Sequence, residues 1–239
     1  MTRARDDARR WVREGTDLVW RALSGLGADD RVLEAPSGLP GWSRKYLLSH
    51  VAANAAALGN LVAWARTGVV TPMYASPEQR TADIEAGASL PAADLVQRFE
   101  RTAGELDEAW ARLTDAQWSA EVVTAQGRTV PASETPWMRA REVMVHAVDL
   151  DTGVTFADLP GDFCAALVTD IARKRSAGGN PALEIVPTDA AGRWRVRGDG
   201  DPVTVSGPLA NLTAWLAGRP FHEVSTTDGG PLPLLPAWL

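Results

Sequence analysis

An α-rich fold, a bundle of long helices followed by a small α+β domain, is what this 239-residue sequence predicts. Three observations carry the expectation. Apolar residues recur at helical spacing through the long segments that precede Gly153. Beyond Gly153 the chain changes to short apolar runs separated by Gly- and Asp-rich turns, the pattern of strands. Two of the helical segments also carry histidine or carboxylate where a helix should be burying hydrocarbon.

The elements follow in order. A first amphipathic helix is expected from Asp6 to Leu26, with Trp11, Leu18, Ala22 and Leu26 inward and Gly25 and Gly27 ending it. Residues 35–41 form a loop, and Ser43 is a natural N-cap for a second helix that runs to Thr67-Gly68. A turn-rich patch at 71–77 and a short helix from Glu78 to Gly87 come next. The third long helix spans Leu90 to Leu113, with Leu95, Phe99, Leu106, Trp110 and Leu113 inward. Val122 to Val130 reads as a short extended pair turned at Gln126-Gly127, and a fourth long helix as Thr135 to Thr152. Helix returns at Gly161 to Arg175, where the cationic end Arg173-Lys174-Arg175 suits the helix dipole. Strands are expected at 183–187, 192–197 and 202–206, then a helix from Gly207-Pro208-Leu209 to Gly218 and a proline-rich tail. The domain boundary is placed near 178, giving 1–178 and 179–239.

On the fourth long helix, Glu142, His146 and Asp149 fall in one arc of roughly 60°. The opposite side is apolar: Val143, Met144, Ala147, Val148 and Leu150. Met138 and Val145 flank the polar stripe, which suits a cavity better than bulk water. A carboxylate and an imidazole one turn apart can share a metal ion. The chain has three histidines, so the search for a third ligand is short. His50 lies on the stripe Leu47, His50, Val51, Asn54, Leu58 and Leu61, facing the core. An unpaired buried imidazole is costly, so His50 needs a partner. A hydrogen-bonded core histidine is one reading; a third ligand is the other. His50, Glu142 and His146 together make a His2Glu set with an open fourth position, as in catalytic zinc sites.

A net charge of −6, with acids and bases intermixed, argues against nucleic acid as a partner. The single cysteine, Cys164, excludes an intramolecular disulfide and fits a reducing cytoplasm. No apolar run reaches the eighteen or so residues of a membrane span, and the N-terminus lacks the apolar stretch of a signal peptide. A cytoplasmic monomer, with no membrane partner, is the expectation.

Several motifs together resemble one family. They are Leu39-Pro40-Gly41-Trp42-Ser43 followed by His50, Pro72-Met73-Tyr74 with Arg80, Glu142-x-x-x-His146-x-Val148-Asp149-Leu150, and Phe156-Ala157-Asp158-Leu159-Pro160. The chain is similar to the mycothiol-dependent maleylpyruvate isomerases, over most of its length and best over residues 36–160. The resemblance implies a DinB-like four-helix domain and a small α+β domain likened to sterol carrier proteins. It implies zinc on His50, Glu142 and His146 with water in the open place, mycothiol as the thiol, and a small-molecule substrate, maleylpyruvate. Its functional arginine from the second domain is matched by Arg219.

The chemistry so implied can be checked against the residues. Turning a cis double bond conjugated to ketones into its trans isomer suits a thiolate that adds and later leaves. A free thiol is mostly protonated at neutral pH, and zinc would deprotonate it. The substrate's carboxylates call for fixed cations, for which Arg80 and Arg219 are the candidates. Asp149 is placed to orient His146, Asn54 to line the pocket, and Trp42 and Trp137 to wall it. Cys164, among Phe163, Ala165 and Leu167, reads as an inert core thiol, and His222 as a surface residue. Two alternatives share the same ligands: a mycothiol-dependent S-transferase acting on another electrophile, and a non-catalytic metal or small-ligand binding module.

Overall fold

The helices begin where local chemistry starts them. In the computed structural model, which describes residues 5–25, 29–178 and 181–238, the first is α1 (Arg5–Ser24), with Trp11, Leu18 and Ala22 buried as the spacing predicts. Leu26 and Gly27, expected at its end, lie outside the described residues. A one-turn helix α2 (Asp30–Glu34) precedes the loop to α3 (Arg44–Thr67). Ser43 caps α3 by accepting from Tyr46 N at 3.1 Å, and Gly68 closes it in the left-handed region at φ 74°. Then follow α4 (Pro77–Ala88), capped by Ser76, and α5 (Ala92–Ala111), which buries Leu95, Phe99, Leu106 and Trp110. The latter ends before Leu113, which is half-buried in the next turn. A short helix α6 (Asp115–Trp118) stands where the sequence predicts none. The hairpin β1 (Glu121–Val123) and β2 (Thr129–Pro131) leads into α7 (Thr135–Asp149).

In the bundle, α1 lies along α7 and α3 along α5, while α3 also touches α7 and α4. Gly15 marks a close approach of α1 to α7: a Cβ there would sit 2.6 Å from Val143 Cγ2. Among the described helices, α3 is long and apolar enough to cross a bilayer, but 72% of that stretch is buried inside the fold. It is the bundle's central helix, buried well beyond the Leu47–Leu61 stripe. Its N-terminus is anchored to the end of α7. Gly38 N donates to Asp149 O at 2.8 Å, and the Arg44 guanidinium donates to Leu150 O at 2.7 Å and Asp151 O at 2.8 Å. Cations and donors there answer the unpaired carbonyls of a helix C-terminus.

The chain divides into two compact units, Met1–Val154 and Thr155–Leu239, against the expected division at 178. The intervening helix α8 (Gly161–Arg175) buries Phe163, Leu167, Val168 and Ile171 and packs on elements of the second unit, so it belongs there. The glycines that suggested a linker stand after this helix, with Gly179 and Asn180 outside the described residues. Three strands run close to expectation: β3 (Pro181–Pro187), β4 (Trp194–Val196) and β5 (Asp199–Gly207). After α9 (Leu209–Leu216), the tail adds a two-residue strand β6 (Ser225–Thr226). The sheet order is β4-β3-β5-β6, with β3 parallel to β5 and the other pairs antiparallel. The helices α8 and α9 pack together and against this sheet.

Candidate metal centre

His50 on α3 and Glu142 and His146 on α7 meet inside the first unit. One donor atom from each lies within 4.8 Å of the others, with His50 buried and the other two half-buried. His50 Nε2 is 3.0 Å and His146 Nε2 3.4 Å from the same oxygen, Glu142 Oε2. The two imidazole rings stand nearly perpendicular, with centroids 5.1 Å apart. Residues far apart in sequence thus converge on one point because α3 and α7 pack and because Arg44 and Gly38 join α3's start to α7's end.

The electrostatics follow from that convergence. Burial pushes the Glu142 carboxyl up, but the two imidazoles outweigh it and hold the group well below the usual carboxylate range. Burial pulls His146 down, yet Asp149 and Glu142 raise it to about 9. Its Nδ1 donates to Asp149 Oδ2 at 2.8 Å, which leaves Nε2 directed toward Glu142. An imidazole oriented by a carboxylate behind it is the usual arrangement of a metal-binding histidine. Two imidazoles, one of them backed by Asp149, and one ionised carboxylate suit a divalent ion such as zinc, and the donor set therefore fits the group the sequence implied.

Around these donors the structure places the other expected residues unevenly. Trp42 meets the His50 ring edge-on at 5.4 Å and Tyr46 at 4.7 Å, walling the site. Trp137 does not: it turns to the bundle core, 5.7 Å from Trp11, because its position on α7 is on the far side from Glu142. Arg80 on α4 reaches His50, Nη2 to Nδ1 at 3.4 Å, and lies 5.9 Å over the Tyr74 ring. Asn54 is buried, with its Oδ1 accepting from Arg139 at 3.0 Å. Arg219 belongs to the second unit, where it follows α9 and its Nη1 donates to Ala217 O at 2.8 Å. His222 is exposed and Cys164 buried, both as expected.

Two contributors, Arg44 and Arg139, were not singled out from sequence, and a third, Tyr74, entered only as part of a motif. Arg44 ties α3 to the end of α7. Tyr74 stands beside Arg80, its phenol raised by burial against the pull of that cation. Arg139, only 1% exposed, carries a guanidinium that burial lowers to about 10, with Glu142 and Tyr74 opposing the shift. Arg139 had a signal: it lies one turn before Glu142, beside the same arc of the helix. Arg80 and Tyr74 also border a cavity of about 640 Å³ whose walls include Trp64, Met73 and Thr124.

Comparison with known proteins decides the family. Residues 3–151 match the mycothiol maleylpyruvate isomerase N-terminal domain, and residues 158–237 match the C-terminal domain of the same family. The chain belongs to this family. Two crystal structures, of a mycothiol-dependent maleylpyruvate isomerase and of a point mutant of it, are each 40% identical over 97% of both chains, with TM-scores of 0.88 and 0.89. No curated protein matches. The family assignment bears out the expected helical bundle followed by a small α+β domain.

Proposed function

We propose that this chain isomerises maleylpyruvate to fumarylpyruvate with mycothiol, using a zinc ion held by His50, Glu142 and His146. The convergence of those three donors within 4.8 Å, in a member of this family, is the observation that carries the reading. Bound zinc supplies one thing, a thiol deprotonated at neutral pH. The thiolate adds to the cis carbon–carbon double bond, and the electron pair moves onto the conjugated carbonyl as an enolate. The former double bond rotates, and return of the electron pair expels the thiolate from the trans product.

The protein's residues serve that sequence by position and charge. Asp149 keeps the ring proton of His146 on Nδ1, so that Nε2 is free as a donor. When Nε2 of His50 is likewise a ligand, its proton sits on Nδ1, which then offers no lone pair to Arg80. The Arg80 guanidinium is left for a substrate carboxylate or the enolate, in bidentate form. Arg219 is carried over from the family resemblance alone, as a further candidate for a carboxylate. Trp42 shields the His50 side from water.

The test is direct. Zinc-loaded protein is mixed with maleylpyruvate, with and without mycothiol, and the ultraviolet absorbance of the substrate is followed. Conversion that needs thiol but does not consume it supports the isomerase. One-to-one loss of thiol points to the transferase, and no thiol-dependent change leaves a binding module.

A further inference from the structure

Arg139 is a charged side chain buried as completely as the leucines around it, and among the described residues only Trp110 is larger at that depth. Its Nη1 donates to Val51 O at 2.6 Å and to Asn54 Oδ1 at 3.0 Å. Its Nη2 has no hydrogen-bond partner among the described residues. A guanidinium in this state is an expensive way to fill a core, and an apolar side chain of similar size is often as stable or more so. Stability alone therefore gives no account of it.

The placement of its bonds does. Val51 follows His50 directly, and Asn54 lies one turn beyond it on α3. Arg139 lies one turn before Glu142 on α7. Two rungs thus join α3 to α7: His50 to Glu142, at 3.0 Å, and Asn54 with Val51 to Arg139. Residue numbers rise from one rung to the next on α3 and fall on α7, as antiparallel packing requires. The second rung fixes the spacing and register of the helices within one turn of the ligands, and its bonds are charge-assisted, the stronger kind.

We propose that Arg139 is a positioning residue for the metal centre, bridging α3 and α7 so that His50 stays within coordinating reach of Glu142 and His146. The proposal rests on the metal reading of those three side chains and on no particular substrate. It is tested by zinc affinity, measured by competition with a chromophoric chelator, and by the thermal midpoint of the metal-free protein. Arg139→Met keeps an unbranched apolar stem in the core and discards the guanidinium with its donors. Zinc binding is expected to weaken by about 10- to 100-fold, as for other groups that support metal ligands, with the metal-free midpoint unchanged or raised.

Asn54→Leu removes one acceptor of the same rung and is expected to weaken zinc binding in the same direction by less; it carries the test if Arg139→Met does not fold. Affinity within about threefold of wild type in the folded variants, against the larger loss expected of such supports, overturns the proposal. So does a loss of affinity that only follows a fall in the metal-free midpoint. Failure of the wild-type protein to bind zinc sinks the metal reading itself, and is seen before any variant is made.

Discussion

The two faces of α7 share one backbone and answer to different rules. Val143, Met144 and Ala147 are fully buried and pack so near α1 that Gly15 has no room for a Cβ. On the other face, Arg139, Glu142, His146 and Asp149 each spend polar atoms on a named partner. Volume is the quantity that matters on the first face, because a packed interior forfeits contacts for every void. Hydrogen-bonding valence matters on the second, because both ring nitrogens of His146 and the oxygens Glu142 Oε2 and Asp149 Oδ2 each face a particular partner.

Substitutions should separate the faces cleanly. Glu142→Ala is expected to have the largest effect, losing the metal and all thiol-dependent turnover while the metal-free bundle still folds. Metal content after dialysis, with circular dichroism on the same sample, checks it; a full complement of zinc in that variant would break the comparison. Met144→Ala should do the reverse. Truncating that fully buried side chain is expected to cost about 2–5 kcal/mol in urea unfolding, with the zinc content of the folded protein unchanged.

Asp149→Ala tests the polar face more finely. Without the carboxylate on Nδ1 of His146, zinc affinity should drop roughly 10- to 100-fold rather than vanish, and chelator competition reads the difference. An affinity equal to wild type would mean that His146 needs no orienting partner.

How much of this was legible in the sequence follows from the same contrast. His50, Glu142 and His146 could be read because each interrupts or borders an apolar stripe, and polar groups at such places need partners. The hydrocarbon face of α7 was legible for the converse reason. Trp137 was not, since its place just ahead of the ligands in sequence says little about direction; five residues before Glu142 puts it across the helix. In the sequence Arg139 is one arginine among several near a helix start, and its burial and its bonds to Val51 O and Asn54 Oδ1 are visible only in the structure. The boundary at 178 followed the Gly-rich stretch, whereas α8's apolar residues commit it to the second unit. Two-residue β6 has too few positions to show an alternation.

The smallest expected effect concerns the one thiol of the chain. Burial pushes Cys164 up to about 12 from its ordinary 9.0. The folded protein therefore keeps this proton where the unfolded chain releases it. Stability is unaffected below about pH 9 and declines as pH rises from there toward 12, because the unfolded state then binds fewer protons. Wild type should lose urea resistance over the lower part of that range faster than Cys164→Ala, and iodoacetamide near pH 8 should leave the native thiol unmodified. Rapid alkylation of folded protein would show that the thiol is reactive after all.

In the proposed reading one divalent ion is held by His50, Glu142 and His146, with a place left for sulfur. Cobalt(II) in place of zinc makes that place visible, because a thiolate bound to cobalt adds a charge-transfer band in the near ultraviolet. Titrating mycothiol into the cobalt-loaded protein should bring up such a band at one equivalent of metal, and Glu142→Ala should show none. A cobalt spectrum unmoved by the thiol in the wild-type protein would contradict the account.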